Sequence, residues 1–216
     1  MANNTEPNWD IVGKRAFKRF FPLWLILWIL FVLYPNPTNL AISIKRVLSF
    51  DVDPNAVGSI TEDLSSDPRA IEKEIIKMIP YRYDWEVYGM PWYFPTVEEV
   101  LKKGEGDCKS RAIVLASIFE IKNIPYQIDS SPIHIWVEYE GKEKTSVSNE
   151  QVVFYQQDPE TGERSFRIPD ISPKEVIDSF FHSFLVPMPW ERKAILIVGL
   201  LVLIAVRLAL PKRLTS

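Results

Sequence analysis

Cys108 and His134 are the side chains here best suited to covalent chemistry, in a sequence of 216 residues with one cysteine and two histidines, the other being His182. Cys108 follows Gly104-Glu105-Gly106-Asp107 and opens an apolar run. In it Ala112, Leu115, Ala116 and Phe119 recur at i, i+3, i+4 and i+7, the pattern of one buried helix face. Asp107 is a good N-cap, so the spacing predicts Cys108 in the first helical turn. There the unpaired N–H groups and the positive end of the helix dipole favour a thiolate. Most free cysteines in core helices are simply small hydrophobes, so a catalytic reading requires a partner.

That partner is sought in the segment 132–140, which alternates as a strand does. Ile133, Ile135, Val137 and Tyr139 point to one side and His134, Trp136 and Glu138 to the other. Gly141-Lys142 follows and suits a two-residue type II′ hairpin with glycine at its first central position. Glu140 then pairs with Glu143, and counting back sets His134 opposite Asn149. Directly opposed residues have Cβ atoms about 4.5–5.5 Å apart on one face, which places the asparagine to accept the imidazole N–H. A longer turn or a bulge brings Ser148 or Glu150 opposite instead. A thiolate beside an imidazolium, with a third polar group holding the ring, is what nucleophilic attack on an amide carbonyl requires.

Several elements must position these groups. Residues 53–64 and 67–78 read as two short helices, and Thr96 caps a third over 97–102 that delivers the chain to Gly104. Residues 80–95 form a loop with seven aromatic side chains, which must pack on something or line a groove. The cysteine helix ends near Lys122-Asn123, strands begin at Tyr126, and a further hairpin is expected around residues 158–162. Ser172-Pro-Lys-Glu175 is a capping box with proline at the first helical position. It opens a helix with Val176, Ile177, Phe180, Phe181, Phe184 and Leu185 on one side. His182 lies in that helix and reads as structural or interfacial.

With these parts in order the sequence resembles the transglutaminase-like superfamily of papain-type cysteine enzymes. The pattern is carried by Gly106-Asp107-Cys108, Arg111-Ala112, Ile124-Pro125 and His134-Ile135-Trp136-Val137-Glu138, with Tyr83-Asp84 and residues 95–101 upstream. It covers roughly residues 70–155. The resemblance implies an α+β fold, a cysteine helix packed on a small antiparallel sheet, with Cys108 as nucleophile and His134 as general acid/base. The family's third member is usually aspartate; by the register count this chain has Asn149, as the papain branch does. The Cys108 backbone N–H plus a donor from Tyr81, Tyr83, Trp85 or Trp92 would form the oxyanion hole. No cofactor is implied, and no calcium loop is visible.

Composition bounds the partners. Residues 47–190 carry 25 acidic against 14 basic side chains, which argues against nucleic acid. One cysteine excludes an internal disulfide and a thiolate zinc cluster, and with two histidines no metal site is expected. Lys14, Arg15, Lys18 and Arg19 precede an apolar run from Phe20 to Tyr34 that spans about 22 Å as a helix, short of the roughly 30 Å hydrocarbon core unless flanking side chains snorkel. A cleavable signal peptide is the rival, but no small-residue cleavage site follows. A second candidate span runs from Ala194 to Val206, continuing to Leu210 if Arg207 snorkels; it too is short, and a membrane-embedded but non-spanning segment is the alternative. The basic flank of the first places both termini in the cytoplasm and the central domain outside it.

The expected organisation is therefore a cytoplasmic tail (1–13), a transmembrane anchor (14–35), a membrane-proximal helical segment (36–66), and a transglutaminase-like domain (67–170). An amphipathic helix and Pro-rich linker (171–190), a second transmembrane segment (191–210) and a cytoplasmic tail (211–216) complete it. The functional expectation is acyl transfer or hydrolysis on peptide or glutamine-type amides through a Cys108 thioester. The alternative is an inactive module that uses the same fold to bind a peptide or membrane-protein partner.

Overall fold

The computed structural model describes residues 9–132, 134–145, 153–157, 164–168, 170 and 172–210. In chain order the helices before the sheet are α1 (Trp9–Arg19), α2 (Phe21–Leu33), α3 (Pro37–Leu48), α4 (Pro54–Thr61), α5 (Pro68–Met78), α6 (Asp84–Val87), α7 (Val97–Lys103) and α8 (Cys108–Lys122). The strands are β1 (Tyr126–Ser130), β2 (Ile135–Tyr139), β3 (Tyr155–Gln157) and β4 (Arg164–Phe166). Then come α9 (Pro173–Phe180), continued by one π-helical turn (Phe181–Leu185), and α10 (Trp190–Ala209). The fold is α+β. Contacts divide the chain into a unit built from both ends, residues 1–37 and 189–216, and a central unit, residues 38–188.

In the terminal unit the expected anchor over 14–35 is not one helix. The helical stretches Gly13–Arg19 and Phe21–Leu33 meet at 75°. Pro22 has no N–H to donate to the Lys18 carbonyl, which is where a continuous helix breaks. No single helix among the described residues is long and apolar enough to cross a membrane; the bent pair meets that measure only jointly. α10 has 20 residues, about 30 Å at 1.5 Å each, but carries Glu191, Arg192, Lys193 and Arg207. It packs on α2: the Trp28 indole N–H donates to the Leu196 carbonyl at 3.3 Å, and Arg192 donates to the Val32 carbonyl at 3.1 Å. Only glycine fits at position 199, since a Cβ there would come within 2.0 Å of the Trp28 ring. Outward-facing side chains of this pair, among them Leu23, Phe31, Ile197 and Leu201, are apolar and exposed.

The central unit is organised around α8. The sequence pattern marked one apolar face, yet every residue from Ala112 to Phe119 is buried, because α4, α5, α7 and the β1–β2 pair all pack against the helix. Fully burying a side chain of this kind contributes about 1.5–3 kcal/mol. Residues 36–66, expected as a membrane-proximal segment, supply Phe50 and Val57 to that same core. Local sequence explains the framing helices. Asp53 and Asp67 accept from backbone N–H groups at the starts of α4 and α5, each with proline in the first turn. Thr96 with Glu99, and Ser172 with Glu175, form the capping boxes of α7 and α9.

The sheet is antiparallel throughout, in the order β2-β1-β3-β4. The expected β3–β4 hairpin is present, with Tyr155 opposite Phe166. Among the described residues no strand after β2 pairs with it. β2 pairs with the preceding strand β1, Ser130 opposite Ile135 and Tyr126 opposite Tyr139. The turn at its end is closed by the Lys142 N–H on the Tyr139 carbonyl at 3.2 Å. That puts Gly141, φ +80°, at the second central position, as a type II turn requires, and residues 142–145 are not strand. Gly141-Lys142 is therefore not the centre of a II′ turn, and the count that set Glu140 against Glu143 fails at its first step.

Candidate functional site

Cys108 is held at the N-terminus of α8 from two directions. Asp107 caps the helix, its Oδ1 accepting from the Ser110 N–H at 3.4 Å. As the first helical residue, Cys108 has a backbone N–H with no intrahelical acceptor. Just upstream, the loop at Pro80–Arg82 is zipped onto Gly106: the Gly106 N–H donates to the Pro80 carbonyl at 3.1 Å and the Arg82 N–H to the Gly106 carbonyl at 3.0 Å. A side chain at 106 is excluded, because its Cβ would lie 2.5 Å from Ser110 Cβ. This close passage brings Tyr81 to the cysteine.

A buried ion cluster fixes the same corner. Lys109, 4% exposed, donates from Nζ to Asp84 Oδ2 at 2.6 Å and also to Asp107 Oδ2. The Tyr93 N–H donates to the same Asp84 oxygen at 2.8 Å. Burial and the Asp107 carboxylate push Asp84 up to about 6, against the pull of Lys109. Asp84 Oδ1 has no hydrogen-bond partner among the described residues, and is where a proton would reside. Burial works against the Lys109 ammonium, but Asp107 and Asp84 outweigh it and its pKa lies above the ordinary lysine value.

His134 stands at the end of the β1–β2 connection, directly before β2. The Ser131 N–H donates to the His134 carbonyl at 2.8 Å, and the His134 N–H to Ser131 Oγ at 3.0 Å. The imidazole stacks on Trp136, ring centres 5.8 Å apart and 14° from parallel. Cys108 and His134 line one cavity of about 220 Å³, walled by α5, α8 and β2, with Ile75, Ala112, Leu115 and Val137 supplying apolar surface. No hydrogen bond joins the Cys108 sulfur to the imidazole among the described residues. The backbone N–H groups of Ile135 and Lys109 act on the sulfur instead, each drawing its pKa down.

The electrostatics reverse one expectation. Cys108 is half-buried; desolvation, then the Asp107 carboxylate, push its thiol up to about 12, against the Lys109 ammonium and the backbone N–H groups of Ile135 and Lys109. The helix end does not yield a resting thiolate, because desolvating a sulfur anion costs more than a few aligned N–H groups return. His134 is shifted below its ordinary value by burial and by the Lys142 ammonium, with Asp107 opposing. The pair at neutral pH is thus a thiol and a neutral imidazole.

Of the four proposed loop donors, Tyr81 alone lines the cavity. Tyr83 stands edge-on to Tyr81 at 5.5 Å. The Trp85 indole N–H is committed to the Phe184 carbonyl at 2.7 Å, and Trp92 packs against the main core and edge-on to Phe94. Asn149, Glu150 and Ser148 lie outside the described residues, while His182 is exposed on the π turn. Among the described residues no group of three His, Cys, Asp or Glu side chains converges as a metal site would. The sequence reading missed Lys109 and Ser131. Ser-Ser-Pro between two strand-like runs was the available signal for the true hairpin loop, whereas nothing local marks Lys109 as the partner of Asp84.

Comparison with protein-family models, curated proteins and solved structures found no match to this chain.

Proposed function

We propose that this chain is a membrane-anchored, transglutaminase-like thiol enzyme that transfers or hydrolyses acyl groups of peptide or glutamine-type amides. The observation that carries the reading is the shared cavity: the single cysteine, at a helix start, and a neutral histidine open onto the same space. His134, held below its ordinary pKa, is the available base at neutral pH. It takes the thiol proton as Cys108 adds to the amide carbonyl and returns it to the leaving nitrogen. The free Cys108 N–H and the Tyr81 hydroxyl are the donors nearest to hand for the oxyanion. Water or an amine then resolves the thioester.

The test is hydroxamate formation from a blocked glutaminyl-glycine dipeptide with hydroxylamine. Turnover that disappears in Cys108→Ala and falls by about 10²–10⁴ in His134→Ala supports the reading. The second reading, a module that binds peptide without turnover, is favoured by one observation, the neutral thiol with no bond to the imidazole. No turnover, with retention of the same dipeptide by Cys108→Ala, would establish it instead.

The anchoring half of the proposal rests on the exposed apolar shell of α2 and α10 and on the basic residues ahead of α2. Phe31, 59% exposed, and Leu201, 60% exposed, would each forfeit their burial energy in water. In this topology both termini are cytoplasmic and residues 38–188 lie outside. Protease added outside sealed cells should cleave the central unit; cleavage only after lysis would refute the orientation.

A further inference from the structure

We propose that Arg111 is the anion-binding residue of the cavity, so that the acyl donor carries a carboxylate beside an apolar group. The inference rests on the reading of Cys108 as nucleophile and specifies its substrate class.

Arg111 lies three residues beyond Cys108 on α8, about 4.5 Å further along the axis, and lines the same cavity. Its orientation is set in advance. Nε donates to the Ile79 carbonyl at 2.9 Å, and the guanidinium carbon stands 5.5 Å from the centre of the Tyr81 ring. These contacts use one of its N–H groups. The terminal nitrogens have no acceptor and no ion-pair partner among the described residues. The acid on the same wall, Glu72, is engaged by Lys142 and by the Tyr139 hydroxyl at 2.5 Å. A pre-oriented guanidinium with a free fork recognises a carboxylate through two parallel hydrogen bonds.

The remaining wall, with Ile75, Ile76, Ala112, Leu115 and Val137, offers an apolar group nothing polar to displace. The C-terminal residue of a peptide, with an apolar side chain, has both features. Its carboxylate is two atoms from the scissile carbonyl carbon, within one helical turn's reach. The S–C bond forms as the C–N bond breaks, and the thiol proton passes through His134 to the leaving amine. Water then cleaves the thioester, restoring the thiol and giving a new carboxylate.

The test uses the full chain, in which any alkylated cysteine is Cys108. The ratio of alkylation rates for iodoacetate over iodoacetamide is measured in the wild type, Arg111→Gln and Arg111→Lys. The ratio should fall about fivefold or more in Arg111→Gln and be partly kept in Arg111→Lys. Independently of any variant's folding, N-acetyl-leucine should protect wild-type Cys108 from iodoacetamide where N-acetyl-leucinamide does not. An unchanged ratio in Arg111→Gln, or equal protection by acid and amide, overturns the inference and leaves the nucleophile reading standing. A Cys108 inert to both reagents up to pH 10 overturns both.

Discussion

The thiol of Cys108, pushed up to about 12, should betray its environment in the pH dependence of its reaction with a small neutral disulfide such as dithiodipyridine. At pH 8 such a group is about 10⁻⁴ thiolate, against about a quarter for an ordinary cysteine near 8.5, a population deficit of roughly 2,000-fold. A more basic thiolate is also the better nucleophile, and a Brønsted slope of about 0.4–0.5 over that gap returns about 25- to 55-fold. The net expectation is reaction about 40- to 100-fold slower than free cysteine at pH 8, before any loss from partial occlusion. The cleaner signature is the slope: deprotonation grows as pH rises, so the rate should climb about tenfold per pH unit from 7 to 10 with no plateau. Asp107→Asn keeps an equally good cap and removes the second cause of the upward shift, so its profile should move to lower pH. A rate that levels off between pH 7 and 9 and loses that plateau in His134→Ala would mean a resting thiolate–imidazolium pair, and would refute the reasoning.

Three further perturbations test packing, two beside the site and one within the terminal unit. Gly106→Ala forces a Cβ to within 2.5 Å of Ser110 Cβ and should cost about 1–3 kcal/mol in denaturant unfolding; Ser110→Gly, but not Ser110→Ala, should recover part of it. Lys109→Met leaves Asp84 and Asp107 buried without their cation and should cost about 3–5 kcal/mol at pH 8. A carboxyl whose folded-state pKa exceeds its unfolded value favours the fold when protonated. Asp84 already lies above the ordinary carboxyl value and loses the lowering effect of Lys109 in this variant, so the Lys109→Met deficit should shrink as pH falls, and Asp84→Asn in the same chain should lessen it at pH 8; equal melting deficits at pH 5 and 8 would contradict this. Gly199→Leu would overlap the Trp28 ring and should separate α2 from α10, read as lost cysteine cross-linking between the two helices, with Trp28→Ala restoring it.

What was legible in the sequence were features encoded over a few adjacent residues. Asp107 before an apolar 3.6-residue repeat gave the start of α8, Thr96 gave α7, and Ser172-Pro with Glu175 gave α9. The cysteine and histidine were found because their types are rare and their flanking patterns strong. The pairing of β2 was not, since Gly141 is compatible with either of two turns and only the tertiary partner decides between them. The burial of α8 on all sides was hidden for a similar reason: α4, α5, β1 and β2 all pack on it, and no local pattern names them. Nothing local marked Lys109, because its partner Asp84 lies 25 residues upstream.

The same distance-dependent effects bear on how the site would work. Asp107 was read as a cap, and it is one, but its charge also acts on both members of the pair, raising Cys108 and working to raise His134. It therefore disfavours a thiolate and favours an imidazolium. A resting ion pair would gain at one end and lose at the other. In attack on a carbonyl the sulfur's charge passes to the carbonyl oxygen as the S–C bond forms, while the proton is on His134. The charge then leaves sulfur for an oxyanion beside the Cys108 N–H and Tyr81, where Asp107 also opposes negative charge, so the penalty moves with the charge while the benefit on the imidazolium is retained. Asp107→Asn should therefore make the thiol more reactive towards disulfides and lower the pH at which His134 protonates, read as a shift of the acidic limb of the rate profile. Neither effect is expected of a residue that serves only to cap a helix.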